Sequence, residues 1–391
     1  MKEEGVMRKV GVLVAVLVFF SSLCFAQTEK GIIDTIAKRI EFSGELETGF
    51  KVESIGHKNI SGRVEDTEIQ LTTAALAIEA EVADWINVAV VPIFEVGEFY
   101  VDEGHVTLGP TESIPLYLKG GLMYYPFGKR EEYTHFPDEP LVNLPFTMYF
   151  GEIWDPGAIV GFTKEIPGMG SLTLEGFAVY ANVTDSDHRQ VDTYGFNVCY
   201  NLTKGDYKFE IGASYTNNAL DSTGYKMHET GLEDYERADF ETIYTERDID
   251  AIATYGSIEC GGCYLTAEYM GVVQPIRNAI SRSGELGARP RVWGVEVGTA
   301  LENYVALPKP VEVMFRYEGS LDAQEIYEIP RNRYAIGANI GLHEYLTWSL
   351  AYAYNDYNEG YGGVRGVHFT EDHNKIKTNS SLFFTQLAIQ F

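Results

Sequence analysis

Long apolar runs are scarce in this chain. Beyond residue 26 no stretch reaches the roughly 20 apolar residues that a membrane-spanning helix needs, so no helical membrane segment is expected there. Basic residues are also few: 30 Lys and Arg stand against 57 Asp and Glu, a formal net charge of −27. Phosphate backbones repel such a chain, which argues against a nucleic-acid partner. Cysteine is limited to four residues, and a zinc ribbon would need a second pair like Cys260 and Cys263. Calcium-loop spacing is missing, and the eight histidines form no HExxH or comparable constellation. His135, His188, His228, His368 and His373 fall between candidate strands with no spaced serine motif. The expectation is therefore no cofactor, no metal and no catalytic residue, with an outer-membrane hydrolase or a purely structural barrel as the alternatives from other classes.

Aromatics and glycine are plentiful, with 26 Tyr, 21 Phe, 4 Trp and 39 Gly. The amino-terminal stretch MRKVGVLVAVLVFFSSLCFAQ has a basic opening, an apolar core and the small-residue site Cys24-Phe25-Ala26. It predicts a signal peptide over 1–26. Leu23, before Cys24, is large, which argues against a lipid anchor. The expected organisation is signal peptide 1–26, a short periplasmic segment 27–39 and a body over 40–391.

From Ile40 onward, period-two segments joined by turn chemistry run to Phe391, sixteen in all. Connections after even-numbered segments are short. Those after odd-numbered segments are mostly long and polar, as in Glu53–Asp66, Pro126–Ile153, Asn217–Asp248 and Asp356–Lys377. A soluble sandwich has no reason to alternate loop lengths. A transmembrane antiparallel β-barrel does, with short periplasmic turns and long outer loops. The expected fold is thus all-β, a barrel of about sixteen strands in the outer membrane of a Gram-negative bacterium. In a closed barrel the last strand pairs with the first, leaving no edge in lipid. SLFFTQLAIQF would be that seam strand, and Phe391 resembles the signal that outer-membrane assembly machinery reads.

If the apolar parity faces lipid, the other parity lines a lumen. That places Glu41, Glu45, Glu47, Glu175, Glu210, Asp250, Glu268, Glu296, Glu312 and Glu318 inside, with Lys51, Lys119, Lys208, Arg316 and Arg333. Sixteen strands leave an aqueous channel, and acids in excess give it a cation bias. Pairing of acids and bases to stiffen the wall is the other reading, and the two can coexist. The segment 126–153 is too apolar for a solvated tip, since Phe127, Phe136, Leu141, Leu144, Phe146 and Met148 need somewhere to pack. Folded into the mouth, it would present Lys129, Arg130, Glu131 and Glu132 as a constriction; packed over the rim or on a neighbouring subunit, it would be a lid. Cys260 and Cys263, flanking a Gly-Gly pair, suggest a cross-turn disulfide, with free thiols as the alternative. The acidic loop Asn217–Asp248 reads as a solvated outer loop or as a bridge, through cations, to lipopolysaccharide.

The stretch from Val101 to Pro145 resembles the legiobactin-receptor (LbtU) family of siderophore porins. The likeness rests on Val101-Asp102-Glu103, on Gly121-Leu122-Met123-Tyr124-Tyr125-Pro126-Phe127-Gly128, and on Asp138-Glu139-Pro140-Leu141, where Glu139 is an insertion relative to the family pattern. IEFSGELETGF and ADWINVAVV add to a match over most of 40–182. The resemblance implies a sixteen-strand outer-membrane porin, in at least one member involved in siderophore uptake. Independently of the resemblance, the partners to expect are outer-membrane lipid and lipopolysaccharide, the assembly machinery and a small solute or siderophore, with a homo-oligomer, a trimer, as an open alternative to a monomer. Phosphate-selective porins carry a similar Pro-Phe-Gly, but the acidic lumen ranks them second. A body of about 350 residues leaves no room for the plug of an energised iron receptor, so transport would be passive or gated.

Overall fold

The computed structural model describes residues 39–57, 62–95, 98–111, 113–129, 141, 144–180, 191, 193–222, 249–280, 286–323, 329–357 and 377–391. The expected signal peptide, Arg130, Glu131, Glu132, Phe136 and the five loop histidines lie outside the described residues.

The strands are β1 (Ile40–His57), β2 (Arg63–Ala83), β3 (Ile86–Glu95), β4 (Glu98–Leu108), β5 (Leu116–Tyr124), β6 (Trp154–Ile166), β7 (Gly170–Val179), β8 (Thr193–Lys204) and β9 (Tyr207–Thr216). There follow β10 (Ala251–Cys260), β11 (Cys263–Val272), β12 (Ile276–Ile280), β13 (Leu286–Ala288), β14 (Arg291–Ala300), β15 (Val311–Leu321), β16 (Asn332–His343), β17 (Leu346–Asp356) and β18 (Lys377–Gln390). Sixteen of them close into one antiparallel barrel, each beside its sequence neighbour, and β18 returns to β1. The remaining two, β12 and β13, form a small separate hairpin inside the connection from β11 to β14, where the sequence suggested only a loop.

Alternation sets the register of every ladder, because a one-residue slip would turn each apolar row to the wrong face. Val160, Ile336 and Ile69 on the outward parity are 58%, 58% and 78% exposed. Ile159, one residue from Val160 on the inward parity, is 2% exposed. Aromatic side chains gather towards the ends of the outer face. Phe94 meets Phe99 at 4.4 Å, Phe196 stacks on Tyr215 at 5.5 Å, and Tyr317 meets Tyr334 at 5.2 Å. An apolar waist between aromatic rims is what a bilayer asks of a barrel. Among the described residues no helix is long and apolar enough to cross a membrane, which says nothing against crossing by strands.

The seam is complete to the last residue. Glu45 to His57 pair with Gln390 back to Lys377, and Gly44 and Phe391 exchange two backbone bonds of 2.9 and 3.0 Å. A methyl group at position 44 would stand 2.6 Å from the Phe391 ring. Glycine therefore makes the space this ring occupies on the outer face.

Inside, the barrel is not empty. Helix α1 (Phe146–Gly151) and the buried Tyr125, Phe127 and Ile153 pack with Met123, Ile159, Phe177, Val179, Met270 and Val292 of the inner wall. Leu141 packs with Met314, Ala335, Ala353 and Leu382 further round. The described parts of the segment 126–153 thus lie against the inward face from β5 to β18.

Candidate functional site

The inward faces of the strands carry the charged residues. Cross-strand registry brings Glu175 beside Asn197, Glu210 beside Ser257, Glu296 beside Arg316 and Glu318 beside Arg333. Bases expected inside are matched to carboxylates. Arg316 clasps Glu296 through Nε at 2.7 Å and Nη2 at 2.5 Å, with both side chains buried. Arg333 lies 3.5 Å from Glu318, Lys129 3.6 Å from Glu210, and Lys208 2.8 Å from Glu259. Lys119 and His105 share Glu103 at 3.9 and 3.4 Å, and Lys51 reaches Glu53 at 3.9 Å. Tyrosine hydroxyls complete the wall: Tyr117 donates to Glu175, and Tyr264 to Glu296 at 2.9 Å. Wall pairing is therefore present.

Carboxylates nevertheless exceed bases on the wall. On β1 to β4 the inward row holds Glu41, Glu45, Glu47, Glu79, Glu81 and Glu103, with Glu45 and Glu47 buried. Glu41 and Glu79 are direct cross-strand partners, an arrangement that costs stability unless water or a cation screens it. A luminal recess of about 800 Å³ opens here, between Glu41, Glu79, Glu81, Glu103, His105, Lys119 and Arg39. A second, of about 780 Å³, lies along β8 to β16 and includes Glu210, Glu259, Glu296 and Glu312 with Lys129 and Lys208. Among the described residues no group of His, Cys, Asp and Glu has the arrangement of a metal site.

The segment after β5 is built onto this wall. Gly128 adopts a φ of +88°, a left-handed backbone that favours glycine, and a Cβ there would run into Met270 and Glu268. The amide of Gly128 donates to Ser214 Oγ at 2.7 Å and that of Lys129 to Glu268 Oε1 at 2.7 Å. At the far end Phe146 N–H donates to Glu318 Oε1 at 2.6 Å, and Arg333 Nη1 donates to the Leu144 carbonyl at 3.1 Å. Tyr125, just beyond β5, is buried against Phe177 at 5.4 Å and donates to the Asp155 carbonyl at 3.2 Å. Burial, with the Asp155 charge adding, pushes its hydroxyl above the ordinary tyrosine range. It stays protonated as a donor.

Two expectations are corrected. Asp250 precedes β10 on the outward parity of Ile252 and Ile258, and it accepts from Tyr215 on the outer face at 2.6 Å. It belongs to the outer rim, not the lumen. Cys260 and Cys263 face each other across the Gly261-Gly262 turn but are free thiols. Cys263 Sγ turns to Thr299 at 3.2 Å and Tyr304 at 2.8 Å, while Cys260 pairs with Tyr207. Ser214, Asn197, Tyr117 and Tyr264 were absent from the expected lining; inward parity alone would have found them.

No family model matches the chain. Two UPF0422 proteins of Legionella pneumophila, from strains Lens and Philadelphia 1, are 25% and 24% identical over 264 and 270 residues. These matches cover 66% of this chain and 46% of each relative, so the chain spans about half the length of the curated relatives it matches. Among solved structures, the anion-selective porin from Comamonas acidovorans aligns at a TM-score of 0.57 and 9% identity, covering 90% of this chain and 99% of that one. Salmonella typhi OmpF in complex with daunomycin gives 0.54 at 8% identity over 90% and 97%. The outer-membrane channel DcaP of Acinetobacter baumannii gives 0.50 at 11% over the same shares. At such identities the likeness is one of fold: a closed sixteen-strand porin-like barrel.

Proposed function

We propose that this protein is an outer-membrane diffusion channel, not an enzyme, through which small solutes pass passively with a preference for cations. The observation that carries the reading is the inversion of the barrel. Apolar side chains cover its outside, paired and unevenly acidic charges line its inside, and an apolar segment is anchored across the wall. A soluble protein would place these the other way round. Bases matched to carboxylates leave the field to Glu41, Glu79 and Glu81 of β1 and β2, which line the luminal recess, and charged walls set ion preference in wide pores. In this reading Lys129, with Arg130, Glu131 and Glu132 beside it in sequence, borders the constriction. Phe391 serves the assembly machinery, and copies of the chain pack side by side as a trimer.

The resemblance to siderophore porins makes ferric siderophores the first solutes to try. A general or phosphate-type porin is the second reading, favoured only by the Pro-Phe-Gly stretch and by the fold shared with an anion-selective porin. Liposome swelling with the purified protein separates the two. Faster entry of small cationic than anionic solutes, slowed by ferric siderophores, is expected for the first reading. Faster entry of phosphate and other anions would establish the second.

A further inference from the structure

The recess along β8 to β16, about 780 Å³, is bordered by four carboxylates, those of Glu210, Glu259, Glu296 and Glu312. Bases answer three of them: Lys129 stands 3.6 Å from Glu210, Lys208 2.8 Å from Glu259 and Arg316 2.5 Å from Glu296. Among the described residues Glu312 has neither a base nor a hydrogen-bond donor. The charges that bear on it, from Glu296, Glu302 and Glu259, share its sign. Asn339 of β16 lies directly opposite. Its amide oxygen is buried and accepts from no described residue. The inward row continues through Ser349 of β17 to Gln386 of β18. Gln386 is 3% exposed, and its amide nitrogen reaches no acceptor among the described residues. On the same three strands Arg333, Asn355 and Ser380 show the usual outcome, each bonded to the next at 2.9 Å. The row from Glu312 to Gln386 has the registry without the bonds.

Buried polar groups without partners cost free energy, and here they are sorted by kind. Glu312 and Asn339 offer acceptors and negative charge, while Gln386, two strands on, offers a donor. A metal ion would want more oxygens than this pair supplies, and no metal-site arrangement occurs among the described residues. An ammonium group brings a positive charge and three N–H donors. Strands about 4.8 Å apart put Gln386 about 10 Å along the row from Asn339. We propose that Glu312 and Asn339 bind the primary ammonium group of a small organic solute whose far end carries a carbonyl-type oxygen for Gln386. The recess also reaches Gly262 and Ala300 beside the short turns, so in a porin the solute would meet it last before the periplasm. The proposal rests on the channel reading for the solute's route, but the binding itself does not.

The probe is 6-aminohexanamide, which carries an ammonium group and an amide oxygen at opposite ends of a short chain. Calorimetric titration of the purified protein in detergent needs no conduction. Saturable binding to the wild type is expected. The N-trimethyl analogue, equal in charge but without N–H donors, should bind about tenfold or more weakly, as should 6-aminohexanamide to Glu312→Gln. Gln386→Leu, which loses a neutral bond, should weaken binding about fivefold. Glu312→Gln breaks no ion pair and should fold as the wild type does, which heat-modifiable migration on gels verifies. If it does not fold, Asn339→Leu carries the same expectation as Glu312→Gln. No binding to the wild type, equal binding of the two compounds, or wild-type affinity in the folded variant would overturn the site. In planar bilayers 6-aminohexanamide should interrupt the K⁺ current. A protein that binds but never conducts would contradict the channel reading and leave the site standing. One that conducts without binding would contradict the site alone.

Discussion

Val160 and Thr163 lie on one strand, three residues apart, on opposite faces of the wall. Val160 sits at the midpoint of β6 and is 58% exposed on the outward parity. Six residues at about 3.3 Å each, tilted by roughly 40°, put it about 15 Å below either end of the strand, close to the centre of a bilayer. In water, an arginine at so exposed a site would change stability by about 0.5 kcal/mol or less. In lipid, the same Val160→Arg substitution should cost about 2–4 kcal/mol. Thr163 shares the lumen with Thr173, 3.2 Å away across the strand pair, and Thr163→Arg should cost little. The assay is urea unfolding in phospholipid vesicles followed by tryptophan fluorescence. A Val160→Arg protein as stable as the wild type, or a Thr163→Arg protein harmed more, would refute the assignment of faces.

Arg316→Met leaves the buried Glu296 without its counter-ion and should cost about 3–5 kcal/mol; restoring most of that loss in Arg316→Met/Glu296→Leu would show the charge, not the packing, at work. Cys260 and Cys263 should both react with maleimide without reductant, and a mass lower by two hydrogen atoms, indicating a disulfide, would contradict the thiol geometry. Phe391→Ala removes a ring that is 65% exposed yet sits on Gly44, so the stability lost should be small, about 1 kcal/mol. The folded yield in cells should fall much further if Phe391 also serves assembly. Equal yields would remove that role.

Most of the barrel was legible because each strand signals itself locally. GFAVYA, FEIGAS and VWGVEV alternate without help from distant residues, and the turns between them are written in Gly, Asp and Lys. The failures have a common cause in contacts between distant parts of the chain. Asp250 carries a charge, but its parity is that of Ile252, and only Tyr215 from β9 explains how it lies outward at the rim. Cys260 and Cys263 are neighbours in sequence, while Thr299 and Tyr304, which hold Cys263 as a thiol, come from β14 and the turn beyond it. The burial of Phe127 and Phe146 was visible as apolar excess in a loop. Which wall receives them was not, because Ser214, Glu268, Glu318 and Arg333 are fixed only when the barrel closes.

The central claim is that the acidic inner wall surrounds a conducting path. Its most direct test is the reversal potential of single channels of the purified protein in planar bilayers under a KCl gradient. Stable openings with a reversal potential of the sign set by K⁺ are predicted, and neutralising Glu79 and Glu81 should move that potential towards zero. A reversal potential set by Cl⁻, or a folded protein that never conducts, would contradict the account.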